Sequence, residues 1–368
     1  MGKHIALLCM SLNIGGAETH IYELAKALTA MGNTVTVFSN GGVYADALQK
    51  EGIRHIKTPL HTKTLSAFWT SYRILKQEFK SNRPSVVHSH TRISNFIGGM
   101  VCKKLRLPMV TTVHGNFRCN FLLRRFSYWG LRSLAVSEDL KKYLIENYHY
   151  DPAHVALTVN GIDRDRFKEQ DASEFRLSLG IAPEEKMILL VSRLDRESTV
   201  HVSRFLEIAP DIFRRVPDTR VVIVGNGNVF CEFEQRAEEI NREFGRDYIL
   251  MQGAKTNIEQ YMASADLFVG ISRSALEAMA SKVPAVLLGD FGYLGLYSDK
   301  IKKECIETNL TGRGYPFPSA RDLTDLICDC LSGKDLTRQK EEGLRLVQEH
   351  FSICTMADSA LKQYESAI

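Results

Sequence analysis

Short apolar runs of β type alternate with amphipathic helical stretches along this chain, and the alternation stops once and then starts again. No other feature limits the fold so tightly. In the first half, residues 4–10, 34–38, 85–88, 109–113, 133–136 and 155–159 read as strands. Between them, residues 17–31, 65–80, 95–105 and 138–148 carry apolar positions at helical spacing. Strands that are apolar almost throughout are buried on both faces. A sheet covered on both faces by the helices that join its strands is parallel.

Residues 163–186 break the pattern, being charged and poor in strand signals, with Pro183 near their end. Strand runs resume at 187–191, 220–224, 248–251, 267–270 and 285–288. A chain of 368 residues also exceeds the usual size of one domain. The expectation is an α/β protein with two doubly wound parallel-sheet domains, residues 1–168 and 169–345. Ligands of such sheets bind beyond the carboxyl ends of the strands, so two facing domains predict a central cleft. Residues 335–368 read as helical and could pack on either domain.

Composition narrows the class. There is no run of about 18 uncharged apolar residues, so a membrane-spanning helix is not expected. The apolar run at the start leads into Asn13-Ile14-Gly15-Gly16 with no small-residue cleavage site, and reads as a first buried strand rather than a signal peptide. The eight cysteines form no C-x-x-C pair; Cys9 and Cys102 sit inside apolar runs, as core residues do. A reducing, cytoplasmic setting without disulfides or structural zinc is expected. The net charge of +4 is unevenly divided. Residues 1–168 hold 23 Lys+Arg against 11 Asp+Glu, and the remainder 24 against 32. The first half therefore faces something anionic (a membrane surface, a phosphorylated lipid or a nucleic acid) or spreads its charge over a solvated surface.

Five local features can carry chemistry. Gly15 and Gly16, in the turn after the first strand, lack Cβ atoms and let a ligand approach the backbone and the free N–H groups of the next helix. The full G-x-G-x-x-G dinucleotide fingerprint is absent, which argues against a dehydrogenase. His88, His90 and His114 lie at two strand ends on the cleft side, where they either meet a ligand or hydrogen-bond locally. A three-histidine zinc site is compatible with composition but has no carboxylate motif to support it, and no metal is expected. Asn160-Gly161-Ile162-Asp163 follows the last strand of the first half and also fits an Asn-Gly turn. Arg193, at the end of the first strand of the second half, can stabilise a departing phosphate or simply pair with Asp195. Finally, Gly270 ends a strand, and Ser272, Arg273 and Ser274 open a helix in a way that can cradle phosphates. Glu277 lies one turn further in, against a sugar hydroxyl or in solvent.

Together, Gly15-Gly16-Ala17-Glu18, His114-Gly115, Asn160-Gly161-Ile162-Asp163, Ser192-Arg193-Leu194 and Leu276-Glu277-Ala278-Met279-Ala280 resemble the retaining glycosyltransferases of family 4 over nearly the whole chain. The resemblance implies the GT-B architecture of two Rossmann-like domains. It implies a last helix, residues 346–368, crossing back to the first domain. It also implies a nucleotide-diphosphate sugar as donor, a saccharide or lipid-linked acceptor, and no cofactor or required metal. In the roles it carries over, Gly15 and Gly16 approach the diphosphate and the acceptor, His114 contacts the transferred sugar, Arg193 stabilises the leaving diphosphate and Glu277 binds the ribose. Asn160, Gly270, Ser272, Arg273 and Ser274 complete the donor side; His88, His90 and Arg118 belong to the acceptor side.

Two positions depart from the family pattern. Ser198 stands where the family has a lysine, and Val269 where it has a first glutamate. Arg273, Arg196 or both are the candidates to supply the missing cation, with Arg273 preferred for its place at the helix opening. Residues 118–129 mix aromatics with arginines as interfacial helices do, which predicts weak docking on anionic lipid at the inner face of a membrane. The expected role is sugar transfer in surface polysaccharide, lipopolysaccharide or glycolipid assembly. Two alternatives share the architecture: a sugar-nucleotide epimerase, and an inactive GT-B binding or scaffold protein. Nucleic acid is not an expected partner, since no recognisable module or stacking platform accompanies the basic half.

Overall fold

The computed structural model describes residues 2–116 and 119–368. These form two compact units, residues 1–161 with 352–368 and residues 162–351.

The first unit is built on strands β1 (His4–Leu8), β2 (Thr34–Ser39), β3 (Arg54–Lys57), β4 (Val86–Ser89), β5 (Met109–Val113), β6 (Arg132–Ala135) and β7 (Val155–Leu157). Helices α1 (Gly16–Ala30), α2 (Val43–Lys50), α3 (Leu65–Ser81), α4 (Arg92–Leu105), α5 (Phe121–Phe126) and α6 (Glu138–Tyr148) connect them. All seven strands run parallel in the order β3-β2-β1-β4-β5-β6-β7. β1 lies inside the sheet, between β2 and β4, and shows why a doubly wound sheet needs unbroken apolar runs. Its Ile5 and Leu7 point into one core with Ile21, Leu24 and Leu28 of α1. Its Ala6 and Leu8 point into the opposite core with Leu75 and Phe79 of α3 and Ile97 and Val101 of α4.

The second unit repeats the plan with β8 (Lys186–Val191), β9 (Thr219–Val224), β10 (Ile249–Met251), β11 (Leu267–Gly270), β12 (Ala285–Leu288) and β13 (Tyr293–Leu296). Its helices are α7 (Ser173–Ser178), α8 (Val200–Arg215), α9 (Phe230–Phe244), α10 (Ile258–Ser264), α11 (Ser272–Ala280), α12 (Lys302–Thr308), α13 (Ala320–Leu331) and α14 (Thr337–His350). The strand order is β10-β9-β8-β11-β12-β13. Only β13 runs antiparallel, on β12.

Three expectations change. β3 and β13 were not foreseen, because neither is fully buried: Arg54-His55-Ile56-Lys57 is half exposed, and Tyr293-Leu294-Gly295-Leu296 is only partly buried. The unit boundary falls at 161 rather than 168. Residues just beyond Gly161 pack within the second unit, where Phe167 is buried and Arg166 bonds Glu259 at 2.9 Å. At the other end it falls at 351 rather than 345, because α14 continues to His350.

The last helix, α15 (Ile353–Ala367), returns to the first unit and packs on α1 and on β5, β6 and β7. Met356, Ala357, Ala360 and Tyr364 enter the core there. The Tyr364 hydroxyl lies 2.6 Å from His88 Nδ1, and both residues are fully buried. A buried polar atom that loses its partner costs about 1–3 kcal/mol. Tyr364→Phe is therefore expected to lower the urea midpoint by that amount of stability, with the slope of the transition unchanged.

Candidate functional site

Strand order alone selects two places for a ligand. In the first sheet the order reverses between β1 and β4, and in the second between β8 and β11. Neighbouring connections leave such a point toward opposite faces, which opens a crevice beyond the carboxyl ends of the strands.

At the first reversal, β1 feeds the Gly15-Gly16 turn and α1, His90 follows directly on β4, and His114 follows directly on β5. Gly15 is in extended conformation, and its carbonyl accepts the Thr19 N–H at 2.9 Å and the Thr19 hydroxyl at 2.8 Å. A Cβ on Gly16 would meet nothing within 4 Å, so internal packing does not demand glycine there. His90 Nδ1 lies 3.1 Å from His114 Nε2. His20, on α1, closes the group: its ring centroid is 4.8 Å from that of His114, and its Nδ1 is 3.2 Å from Asn160 Oδ1. The structure thus brings His90, His114 and Asn160 together and adds His20, which the sequence reading missed. The available signal was its position on the first helix, one turn after Gly16.

His88 departs from its expected acceptor-side role. Its Nδ1 is taken by Tyr364 and its Nε2 by Thr112, 2.7 Å away, so both ring nitrogens are used inside the unit. Its ring lies against that of His90, with centroids 4.1 Å apart and the planes tilted by 37°. Arg118 lies outside the described residues.

Burial controls the protonation of this cluster. It holds the His88 imidazole down at about 3 and that of His114 at about 4. His90 is kept well below the usual histidine range, first by burial and then by the charge its neighbours would carry. All three are neutral near pH 7, able to offer one N–H and one lone pair each.

At the second reversal, β8 delivers Arg193. It is half exposed, with its Nε 3.9 Å from Asp195 Oδ2. The loop is held by neighbours the sequence reading passed over, Gly225 and Gly227 after β9. A Cβ on Gly225 would lie 1.7 Å from the Ser192 carbonyl oxygen, and one on Gly227 2.2 Å from the Leu194 carbonyl. Two glycines spaced by one residue just after a strand were the signal. Ser198 holds the same loop by donating its hydroxyl to the Asp195 carbonyl at 3.3 Å. Arg196 is exposed and tied to Glu232.

β11 ends at Gly270 and α11 begins at Ser272, whose φ of 54° lies in the left-handed region. Asn309 and Leu310, at φ 53° and 59°, back it up. Asn309 Nδ2 donates to Ser272 Oγ at 3.1 Å, and the Ser272 N–H reaches the Leu310 carbonyl at 3.4 Å. Backbone strain concentrated in three touching residues marks a site held against local preference. The Ser274 hydroxyl is used locally, donating to the Ile271 carbonyl at 3.0 Å. Glu277 is buried rather than solvated, and accepts from Arg273 Nε at 3.0 Å. Arg273 is itself buried, and its Nη1 and Nη2 find no hydrogen-bond partner among the described residues.

A family model described as "Glycosyltransferase Family 4" matches residues 14–166, and one described as "Glycosyl transferases group 1" matches residues 171–342. The alpha-monoglucosyldiacylglycerol synthase of Streptococcus pneumoniae is 20% identical over 326 residues, covering 78% of this chain and 71% of that protein. The crystal structure of a glycosyltransferase from Rickettsia africae superposes with a TM-score of 0.80 at 21% identity, over 100% of this chain and 98% of the other. Anabaena HepE, in complex with UDP and glucose, superposes with a TM-score of 0.78 at 18% identity, over 99% and 100%. These neighbours share the two-domain GT-B fold.

The neutral histidines make stability depend on pH. The unfolded chain takes up protons on them near pH 6.5, whereas the native state resists until about 4 at His114 and about 3 at His88. Their contribution is whole above about pH 6.5 and is lost as pH falls through this window. Urea unfolding between about pH 7 and pH 5 should show stability falling with acid. His114→Gln should make that fall shallower.

Proposed function

The chain belongs to the group 1, family 4-like glycosyltransferases, and on that premise we propose that it moves a sugar, with retention of configuration, from a nucleotide-diphosphate donor to a saccharide or lipid-linked acceptor. One observation carries the donor side: a guanidinium with two buried, unpartnered Nη groups, at Arg273, beside the opening of α11. Buried donors without acceptors are costly, and an anion is the partner they lack. With Arg193 and the N–H groups at the start of α11, Arg273 meets the diphosphate charge without calling for a metal or cofactor. Arg273, rather than the Glu232-bound Arg196, takes over from the lysine that Ser198 replaces. Glu277, oriented by Arg273 Nε, binds the ribose.

In the transfer, the bond from the anomeric carbon to the phosphate oxygen breaks and a bond to the acceptor oxygen forms on the same face. The departing phosphate oxygen takes the acceptor proton, so no side chain need act as base. His114, held neutral by burial, hydrogen-bonds the transferred sugar without repelling the cationic character that develops on it. The UDP and glucose bound to HepE support a donor of this class. The lipid product in the name of the pneumococcal synthase supports a lipid-linked acceptor, and with it a role in surface polysaccharide, lipopolysaccharide or glycolipid assembly.

Docking on anionic lipid at the cytoplasmic face of a membrane belongs to the same reading. Among the described residues no helix is long and apolar enough to cross a membrane. Phe121 and Phe126 of α5 are 75% and 58% exposed, beside Arg124 and Arg125. Ring contacts run from Phe126 through Phe96 and Phe68 to the exposed Trp69. Binding to anionic vesicles should weaken as salt is raised and be lost in a Phe121→Asp, Phe126→Asp double variant.

The decisive experiment pairs a thermal-shift panel of nucleotide sugars, with UDP and GDP as controls, with product analysis. Saturating donor at about 100 times its dissociation constant should stabilise by about 2.7 kcal/mol. Arg193→Ala and Arg273→Ala should each lower turnover about 10²–10³-fold. If Arg273→Ala leaves donor affinity and turnover unchanged, Arg273 does not hold the diphosphate. Release of an epimerised sugar nucleotide without acceptor would mean an epimerase. Binding without turnover on any acceptor would mean a scaffold.

A further inference from the structure

From the cluster at the first reversal we infer that His20, His90 and His114 form a capture site for one divalent transition-metal ion of the zinc class, with an open fourth position. One ring nitrogen of each histidine lies within 4.8 Å of those of the other two. Two are nearly placed already: His90 Nδ1 and His114 Nε2 are 3.1 Å apart. Ligand atoms of a tetrahedral ion with bonds of about 2.0–2.1 Å stand about 3.3–3.4 Å from each other. The third ring has to move in by about 1.5 Å, roughly the difference between the widest spacing and that edge.

The surroundings have the features of a metal site. Asn160 Oδ1 accepts from His20 Nδ1, which makes Nε2 the nitrogen with the lone pair and fixes the ring, as outer-sphere oxygens do for metal-bound histidines. The cluster does not satisfy itself: His90 is buried, and its Nε2 has no hydrogen-bond partner among the described residues. One proton joins His90 to His114; when both facing lone pairs turn to an ion it moves to the outer nitrogen of whichever ring carries it. His20 and His90 are buried while His114 is partly exposed, so His114 gives the way in and the side on which water or a small anion takes the fourth position. Among the described residues no carboxylate belongs to the cluster, so the occupied site is positive and favours an anionic fourth ligand. Metal bound at His114 takes that side chain from the sugar and inhibits transfer. This consequence rests on the proposed function; the binding itself does not.

Cobalt(II) added to the intact protein tests the site without any assay of transfer. The expected result is one ion per chain, with the intense visible bands of tetrahedral cobalt, displaced by zinc. Affinity should fall at least about tenfold in His114→Ala and about 10–100-fold in Asn160→Ala, which removes only the orienting oxygen. His114 is the least buried of the three, and circular dichroism checks that both variants are folded. Should either fail to fold, the wild-type spectrum decides. Pale octahedral bands, no binding, or binding undiminished in a folded His114→Ala variant, which would place the ion on other histidines, overturns the inference.

Discussion

Parallel pairing sends the carboxyl end of every strand to the same edge of its sheet, and this single constraint places all the chemistry of the chain. Within that edge the reversal of strand order matters most. β1 and β4 in the first unit, and β8 and β11 in the second, are neighbours whose connections part to opposite faces. The Gly15-Gly16 turn, His90 and Arg193, Ser272 and Arg273 all follow directly from those four strands. Their residue types suit such a place because the backbone there leaves its ladder and exposes N–H groups to a ligand.

The two sites handle polar burial in different ways. The first gathers neutral imidazoles, which cost less to bury than charged groups because each ring is uncharged. His88 anchors them through Thr112 and Tyr364, so a helix from the far end of the chain is part of the support. The second buries a charged pair, Arg273 and Glu277, at 3.0 Å. Desolvating two charges is not a cheap route to stability, since apolar residues of the same volume often serve as well. Together with the strained Ser272, Asn309 and Leu310, the pair is better explained by function than by folding.

Much of this was legible in the residues. The central strands announced themselves because burial on both faces requires unbroken apolar runs, as in Ile5-Ala6-Leu7-Leu8 and Met187-Ile188-Leu189-Leu190. β3 and β13 did not, because neither is buried enough to need an unbroken apolar run. Glycines next to strand ends were informative in both units, yet Gly225 and Gly227 went unread because their partner, the Ser192–Leu194 backbone, is distant in sequence. His20 was hidden for the same reason: its partners His90, His114 and Asn160 come from three other segments.

By itself, then, the order of apolar runs determined two doubly wound units and which strand ends carry polar groups, while the short motifs at those ends carried the family resemblance. These follow from period and spacing, which act over a few residues. Only the tertiary structure decided that His88 is internal support rather than a ligand contact, that Glu277 is buried against Arg273, and that three histidines converge. Each depends on which atom meets which across long stretches of chain. A buried polar group takes the partner that packing brings to it, and local sequence carries no record of that partner.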